Sequence, residues 1–94
     1  MMRSNDNLAY EIRLSRDAAS FLTKTDKGTQ SRVYAVLEAL KYNPYNSLQD
    51  IKRLAGRNNQ YRLRVGKYRI IYTVDHGILL IFVIDIGSRG DIYK

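Results

Sequence analysis

The alternation of apolar and polar side chains divides this chain into two kinds of segment. From Tyr10 to Leu14, Ile12 and Leu14 alternate with Glu11 and Arg13, which predicts a first strand with one buried face. Ser15 then stands where an N-cap is needed, and Asp17 falls in the first turn. Ala18, Ala19, Phe21 and Leu22 begin a short amphipathic helix behind them. Thr25, Asp26, Lys27 and Gly28 interrupt that helix. A longer one follows, with Val33, Val36, Leu37 and Leu40 at i, i+3, i+4 and i+7 and with Gln30, Arg32 and Glu38 on its other side. Asn43 and Pro44 end it, because a residue before proline avoids the helical region. Two helices joined by a short turn form an antiparallel hairpin.

From Gln60 the period changes to two. Tyr61, Leu63 and Val65 point one way, and Arg62 and Arg64 the other. Gly66 and Lys67 make a turn of hairpin size. Tyr68, Ile70, Tyr72 and Val74 then continue the apolar face, leaving Arg69, Ile71 and Thr73 opposite. A second turn falls at Asp75, His76 and Gly77. Ile78 to Ile86 is the most hydrophobic stretch, expected as a central strand buried on both faces and ended by Gly87. The predicted order is β-α-α-β-β-β: one α+β domain over 1–94, with a helical hairpin on one face of a curved antiparallel sheet and residues 1–7 as a flexible tail.

Composition narrows the function classes. The longest apolar run is strand-sized, so a membrane helix is not expected, and Met1 to Asn7 has no secretory pattern; a cytoplasmic location is the expectation. The absence of cysteine excludes disulfides, thiolate metal sites and a cysteine nucleophile. The net charge is +7, and it is uneven: residues 50–94 carry nine Lys/Arg against four Asp/Glu. Between Ile51 and Val74 stand Lys52, Arg53, Arg57, Arg62, Arg64, Lys67 and Arg69, without one acid. Such a stripe suits a polyanion through phosphate neutralisation. A solvated basic face, or a dock for an acidic protein, remains open on this ground.

Strand alternation sharpens the stripe into a site. If the helices cover the Tyr61 side, then Arg62, Arg64 and Arg69 share the uncovered face, close enough to converge on one phosphate. Crowded like charges cost a sheet stability, and an anionic ligand supplies the reason to gather them. Arg89 follows the last strand and is positioned to join. Singly, each arginine reads equally as a solvated strand residue, and Arg69 could pair with Asp85, and Arg89 with Asp91. Tyr61, Tyr68 and Tyr72 belong to the core or its edge, and packing is the default for Tyr34, Tyr42 and Tyr45. Tyr93 lies near Arg89 and could stack a nucleobase, or tether the tail. His76 reads as a turn residue rather than a general base, and no acidic cluster has metal-ligand spacing. Chemistry here is therefore expected to need neither metal nor cofactor.

The runs QYRLRVGKYRIIY at 60–72 and IFVIDIGSRGDIY at 81–93, preceded by Arg53, Leu54, Ala55 and Gly56, resemble the RelE/ParE superfamily of toxins over about residues 9–94. The resemblance to the RelE branch implies the toxin of a type II toxin–antitoxin system. Such a toxin is a metal-independent endoribonuclease that enters the ribosomal A site and cleaves mRNA there, inhibiting translation. The nucleotide's 2′-hydroxyl attacks the adjacent phosphate and the 5′-oxygen leaves. By that resemblance Arg62 and Arg64 fall on two basic positions of one strand, Arg69 on the phosphate-contacting arginine, Arg89 on the proposed acid and Tyr93 on the stacking tyrosine. Lys52, Arg53, Arg57 and Lys67 are expected to contact RNA or ribosome. Some members have lysines where Arg62 and Arg64 stand, and one of those lysines is the proposed base. Arginine, with a pKa above about 12, is a poor one, so Arg64 is expected to act by electrostatics.

The resemblance also implies a cognate antitoxin, with operator DNA contacted only through it and no membrane partner. Two alternatives share the fold. One is a ParE-type gyrase poison that is not a nuclease; the other is a non-catalytic module that binds antitoxin.

Overall fold

The computed structural model describes residues 9–45, 49–56 and 59–88. Its elements are β1 (Glu11–Leu14), α1 (Arg16–Lys24), α2 (Lys27–Tyr42), β2 (Asp50–Arg53), β3 (Gln60–Val65), β4 (Tyr68–Asp75) and β5 (Leu80–Ser88). The expected α+β order is therefore present, with one strand more than the pattern predicted. The expected flexible tail at 1–7 lies outside the described residues. No helix among the described residues is long and apolar enough to cross a membrane.

The five strands form one sheet in the order β1-β5-β4-β3-β2. The four later strands run antiparallel to their neighbours, while β1 lies parallel to β5 at the edge. A parallel pair needs a crossover, and the two helices with the β2-β3-β4 meander provide it. The helices lie on one face only, α1 against β5 and β1, α2 against β1 and β3. Ser15 caps α1, its hydroxyl accepting from the Ala18 amide at 3.0 Å. Asp26 caps α2 in the same way through the Thr29 amide, and that bond holds its carboxyl below the usual range. The C-cap is Asn43, ahead of Pro44, as expected.

The core fills the space beneath the helices. Val33, Val36, Leu37 and Leu40 of α2 and Ala18 and Leu22 of α1 meet Leu63, Val65, Ile70, Tyr72, Val74, Ile81, Val83 and Ile86 of the sheet. Each fully buried aliphatic or aromatic side chain contributes about 1.5–3 kcal/mol relative to exposure, which makes this single interface the main source of stability. Tyr72 is completely buried, and its hydroxyl donates to the Pro44 carbonyl at 2.7 Å. Burial pushes the Tyr72 hydroxyl's pKa upward.

Four expectations need correction. The last strand starts at Leu80, not Ile78, because the Asp75 carboxylate accepts from the Gly77 and Ile78 amides and holds 76–79 in a turn; Ile78 is exposed. It also runs through Gly87 to Ser88 rather than stopping at the glycine. Nor is it buried on both faces: Ile81, Val83 and Ile86 face the core, while Phe82 is exposed on the side the helices leave bare. Finally, Tyr34 and Tyr42 do not pack but stand exposed on α2.

The spacing of Ile81, Val83 and Ile86 breaks strict alternation, and the pairing shows why. Ile71 pairs with Asp85 but Tyr72 pairs with Val83, so Ile84 is an extra residue in β5, a β-bulge. The Ile84 carbonyl accepts from the Ser15 hydroxyl at 2.6 Å, and the Val83 carbonyl from the Ser15 amide at 2.8 Å. The helix cap and the bulge are thus held by one side chain.

Candidate functional site

On the bare face, the register lines up four positions across four strands. Asp50 of β2 lies opposite Arg64 of β3, Arg64 opposite Arg69 of β4, and Arg69 opposite Gly87 of β5. Arg62 pairs with Lys52 on one side and Ile71 on the other. The expected grouping of Arg62, Arg64 and Arg69 on one face is present, with Lys52 beside them. Two acids accompany it: Asp50, which the pattern did not place, and Asp85, the partner considered for Arg69. Asp50 stands 3.8 Å from Arg64 across an exposed edge, a contact of little energetic weight. Asp85 stands 3.2 Å from Arg69.

Arg69 differs from its neighbours in burial. It is only 7% exposed, whereas the side chains of Arg64 and Asp85 are 37% and 44% exposed. Its Nη2 donates to Asp85, while Nε and Nη1, both buried, have no hydrogen-bond partner among the described residues. The Arg62 Nε and Gln60 Oε1 are in the same condition. A buried guanidinium with idle donors costs stability, by about 1–3 kcal/mol for each unsatisfied group. A cavity of about 410 Å³ opens over Arg69, lined by Leu54, Ala55, Gln60, Ile71, Ile84 and Asp85. Its walls are mostly apolar and its donors few and fixed, which is the composition of a ligand site.

Backbone features make this geometry possible. Gly87 lies directly across from Arg69, and a Cβ there would stand 3.0 Å from Nη1, so glycine lets the guanidinium lie over β5. The bulge turns both Ile84 and Asp85 toward the cavity, because an uninterrupted two-residue period would aim Asp85 at the helices with Val83. Gly66 takes φ 58 at the first central position of the β3-β4 hairpin, fixing the register that sets Arg64 against Arg69.

The remaining candidates separate. Arg53 pairs with Tyr61 and so falls on the side opposite Lys52. Lys67 is exposed in the hairpin turn. Arg57, Arg89 and Tyr93 lie outside the described residues, as does the Asp91 considered as a partner for Arg89. His76 is a turn residue, as expected, but a bonded one: its two ring nitrogens exchange 2.6 Å hydrogen bonds with the Tyr10 and Tyr45 hydroxyls. Tyr45 packs on Tyr61 with ring centroids 5.1 Å apart, and Tyr61 stacks on Tyr72. This aromatic group therefore belongs to the helix side of the sheet. Burial, then the hydrogen bond with Tyr61, pushes the Tyr45 hydroxyl up to about 12.

The family model for the ParE toxin of the parDE type II toxin–antitoxin system matches residues 12–93, nearly the whole chain. This chain belongs to the RelE/ParE toxin superfamily. The toxin is also similar to the Methanocaldococcus jannaschii protein named "Putative toxin RelE1", with 40% identity over 60 residues, 63% of this chain and 67% of the relative. In three dimensions it resembles the archaeal RelE–RelB complex from Pyrococcus horikoshii, with a TM-score of 0.77 and 26% identity, over 87% of this chain and 97% of that one. The intact Escherichia coli RelBE complex shares its fold, with a TM-score of 0.74 and 21% identity over 85% of this chain and 96% of that one.

Proposed function

We propose that this toxin is a ribosome-dependent endoribonuclease that cuts mRNA in the A site, with Arg69 as the principal phosphate ligand. The observation that carries the reading is the buried Arg69 guanidinium, with two idle nitrogens, at the base of a nucleotide-sized cavity. Hydrogen bonds from a fixed guanidinium stabilise charge as it develops on a transferring phosphoryl group. Arg64, directly across the ladder, and Arg62 add positive potential along the path of the chain. Arg89 as acid and Tyr93 as a stacking base platform, with Lys52, Arg53, Arg57 and Lys67 as RNA or ribosome contacts, complete the reading. The similar proteins from Pyrococcus horikoshii and Escherichia coli are complexes with RelB, so a cognate antitoxin is the proposed regulator, with operator DNA reached through it. This reading places the protein in the cytoplasm with its target.

Programmed ribosomes with and without an empty A site test it, the mRNA ends being mapped afterwards. Cleavage only with the empty A site is expected; equal cleavage of naked RNA rejects ribosome dependence. Arg69→Ala and Arg89→Ala are each expected to relieve growth arrest while antitoxin binding is kept. A second reading, gyrase poisoning, draws on the family model that matches, whose namesake is the ParE toxin. Toxicity that survives the double substitution, with loss of supercoiling in treated cells, selects that reading. Antitoxin binding without toxicity selects the non-catalytic module.

A further inference from the structure

We propose that Asp85 is the general base of this site, taking the proton from the attacking 2′-hydroxyl. The inference rests on the nuclease reading above and supplies what that reading lacks. An arginine keeps its proton at any physiological pH and cannot accept another. Of the described side chains that line the cavity over Arg69, only the Asp85 carboxylate is a Brønsted base; Leu54, Ala55, Ile71 and Ile84 are apolar and the Gln60 amide is not basic. His76 is engaged with Tyr10 and Tyr45 on the other side of the sheet.

Geometry places the carboxylate for the task. Asp85 accepts from Arg69 Nη2 through Oδ2 at 3.2 Å, and its side chain is 44% exposed, so the carboxylate is open to a second contact. A phosphate accepting from Nη1, on the edge that Nη1 shares with Nη2, would lie beside that carboxylate, within reach of the neighbouring ribose hydroxyl. The bulge at Ile84 directs Asp85 to this face, a placement with no benefit to the core. Other charged groups bordering Asp85 are Arg69 from β4 and Asp17 and Lys24 from α1.

The proton and electron pairs balance without a co-reactant other than water. Asp85 takes the proton of the 2′-hydroxyl as O2′ bonds to phosphorus. The P–O5′ bond breaks, leaving a 2′,3′-cyclic phosphate, and O5′ leaves with a proton from a general acid or water. Asp85 then returns its proton to solvent.

Single-turnover cleavage on programmed ribosomes, with wild type, Asp85→Asn and Asp85→Glu, tests the assignment. Asn keeps an acceptor for Arg69 and removes the base. Asp85→Asn is expected to bind ribosomes and antitoxin as wild type does and to lose about 10²–10⁴-fold in rate, the size of a general-base contribution. Asp85→Glu is expected to recover part of that loss. Cleavage by Asp85→Asn at the wild-type rate or faster overturns the proposal, as does a rate loss matched by an equal loss of ribosome binding. A wild type that cleaves no RNA removes the nuclease reading itself, and the proposal with it.

Discussion

The two faces of the sheet, built from the same strands, follow opposite rules. On the helix side, Leu63, Val65, Ile70, Tyr72 and Val74 alternate into a closed core with almost no exposure. On the bare side the intervening positions are Arg62, Arg64, Arg69 and Ile71, and there the polar groups are left short of partners. One face minimises its free energy in isolation. The other holds a buried cation with idle donors, an arrangement that gains stability only when an anion arrives. A fold of this size can tolerate that strain because the covered face supplies nearly all of the stability.

The comparison is most severely tested by neighbouring positions of β4 and β3. Ile70→Ala, beneath the helices, is expected to cost about 2–5 kcal/mol in denaturant unfolding. Arg64→Ala, across the ladder on the bare face, is expected to cost no more than about 1 kcal/mol, since its ion pair is exposed. Equal losses would abolish the distinction. An effect of about 1 kcal/mol, below that of Ile70→Ala, is expected for Ser15→Ala, which removes the α1 cap and the bond to the bulge carbonyl together. Hydrogen exchange at the β5 bulge should rise in that variant more than at β3; uniform exchange would show that Ser15 acts on the helix alone.

The alkaline limb probes the covered side. Tyr45 is held up to about 12 in the fold, against about 10 for a free tyrosine. A raised pKa means that its contribution is complete below about 10 and disappears as pH rises through about 12. Tyrosinate absorbance should therefore lag in the native protein, and Tyr45→Phe should remove part of the alkaline loss of stability. The smallest stability change, within about 0.5 kcal/mol, is expected for Gly87→Ala, because the added carbon meets only the tip of the Arg69 side chain, which has an open cavity beside it. Its effect should appear instead in cleavage, by displacing the Arg69 guanidinium; unchanged toxicity would mean that the guanidinium works from elsewhere.

The regions that alternation describes well are those the sequence made legible. The helix boundaries at Ser15 and Asn43, the β3-β4 hairpin and the shared face of Arg62, Arg64 and Arg69 all follow from period and capping chemistry. The edge strand Asp50–Arg53 escaped because three of its four residues are charged and only Ile51 faces the core, too short a run to show a period. The bulge escaped because it lies in the apolar run Ile81–Ile84, where no polar residue marks which side is out. Asp85 was therefore weighed only as an ion-pair partner for Arg69, although its place beside the cavity depends on that bulge. Likewise, a lone His76 in a turn gives no hint of two tyrosines, one 66 and one 31 residues away in the chain.

The single extra residue at Ile84 carries a consequence for how such a surface changes over time. Point substitutions can alter only what one position presents. Deleting the extra residue would leave Val83 opposite Tyr72, Asp85 opposite Ile71 and Ile86 opposite Ile70, so the faces of β5 would survive while the carbonyl that anchors Ser15 was lost. A one-codon deletion there would thus loosen the α1 cap while every arginine, and Asp85 with them, stayed on its own face.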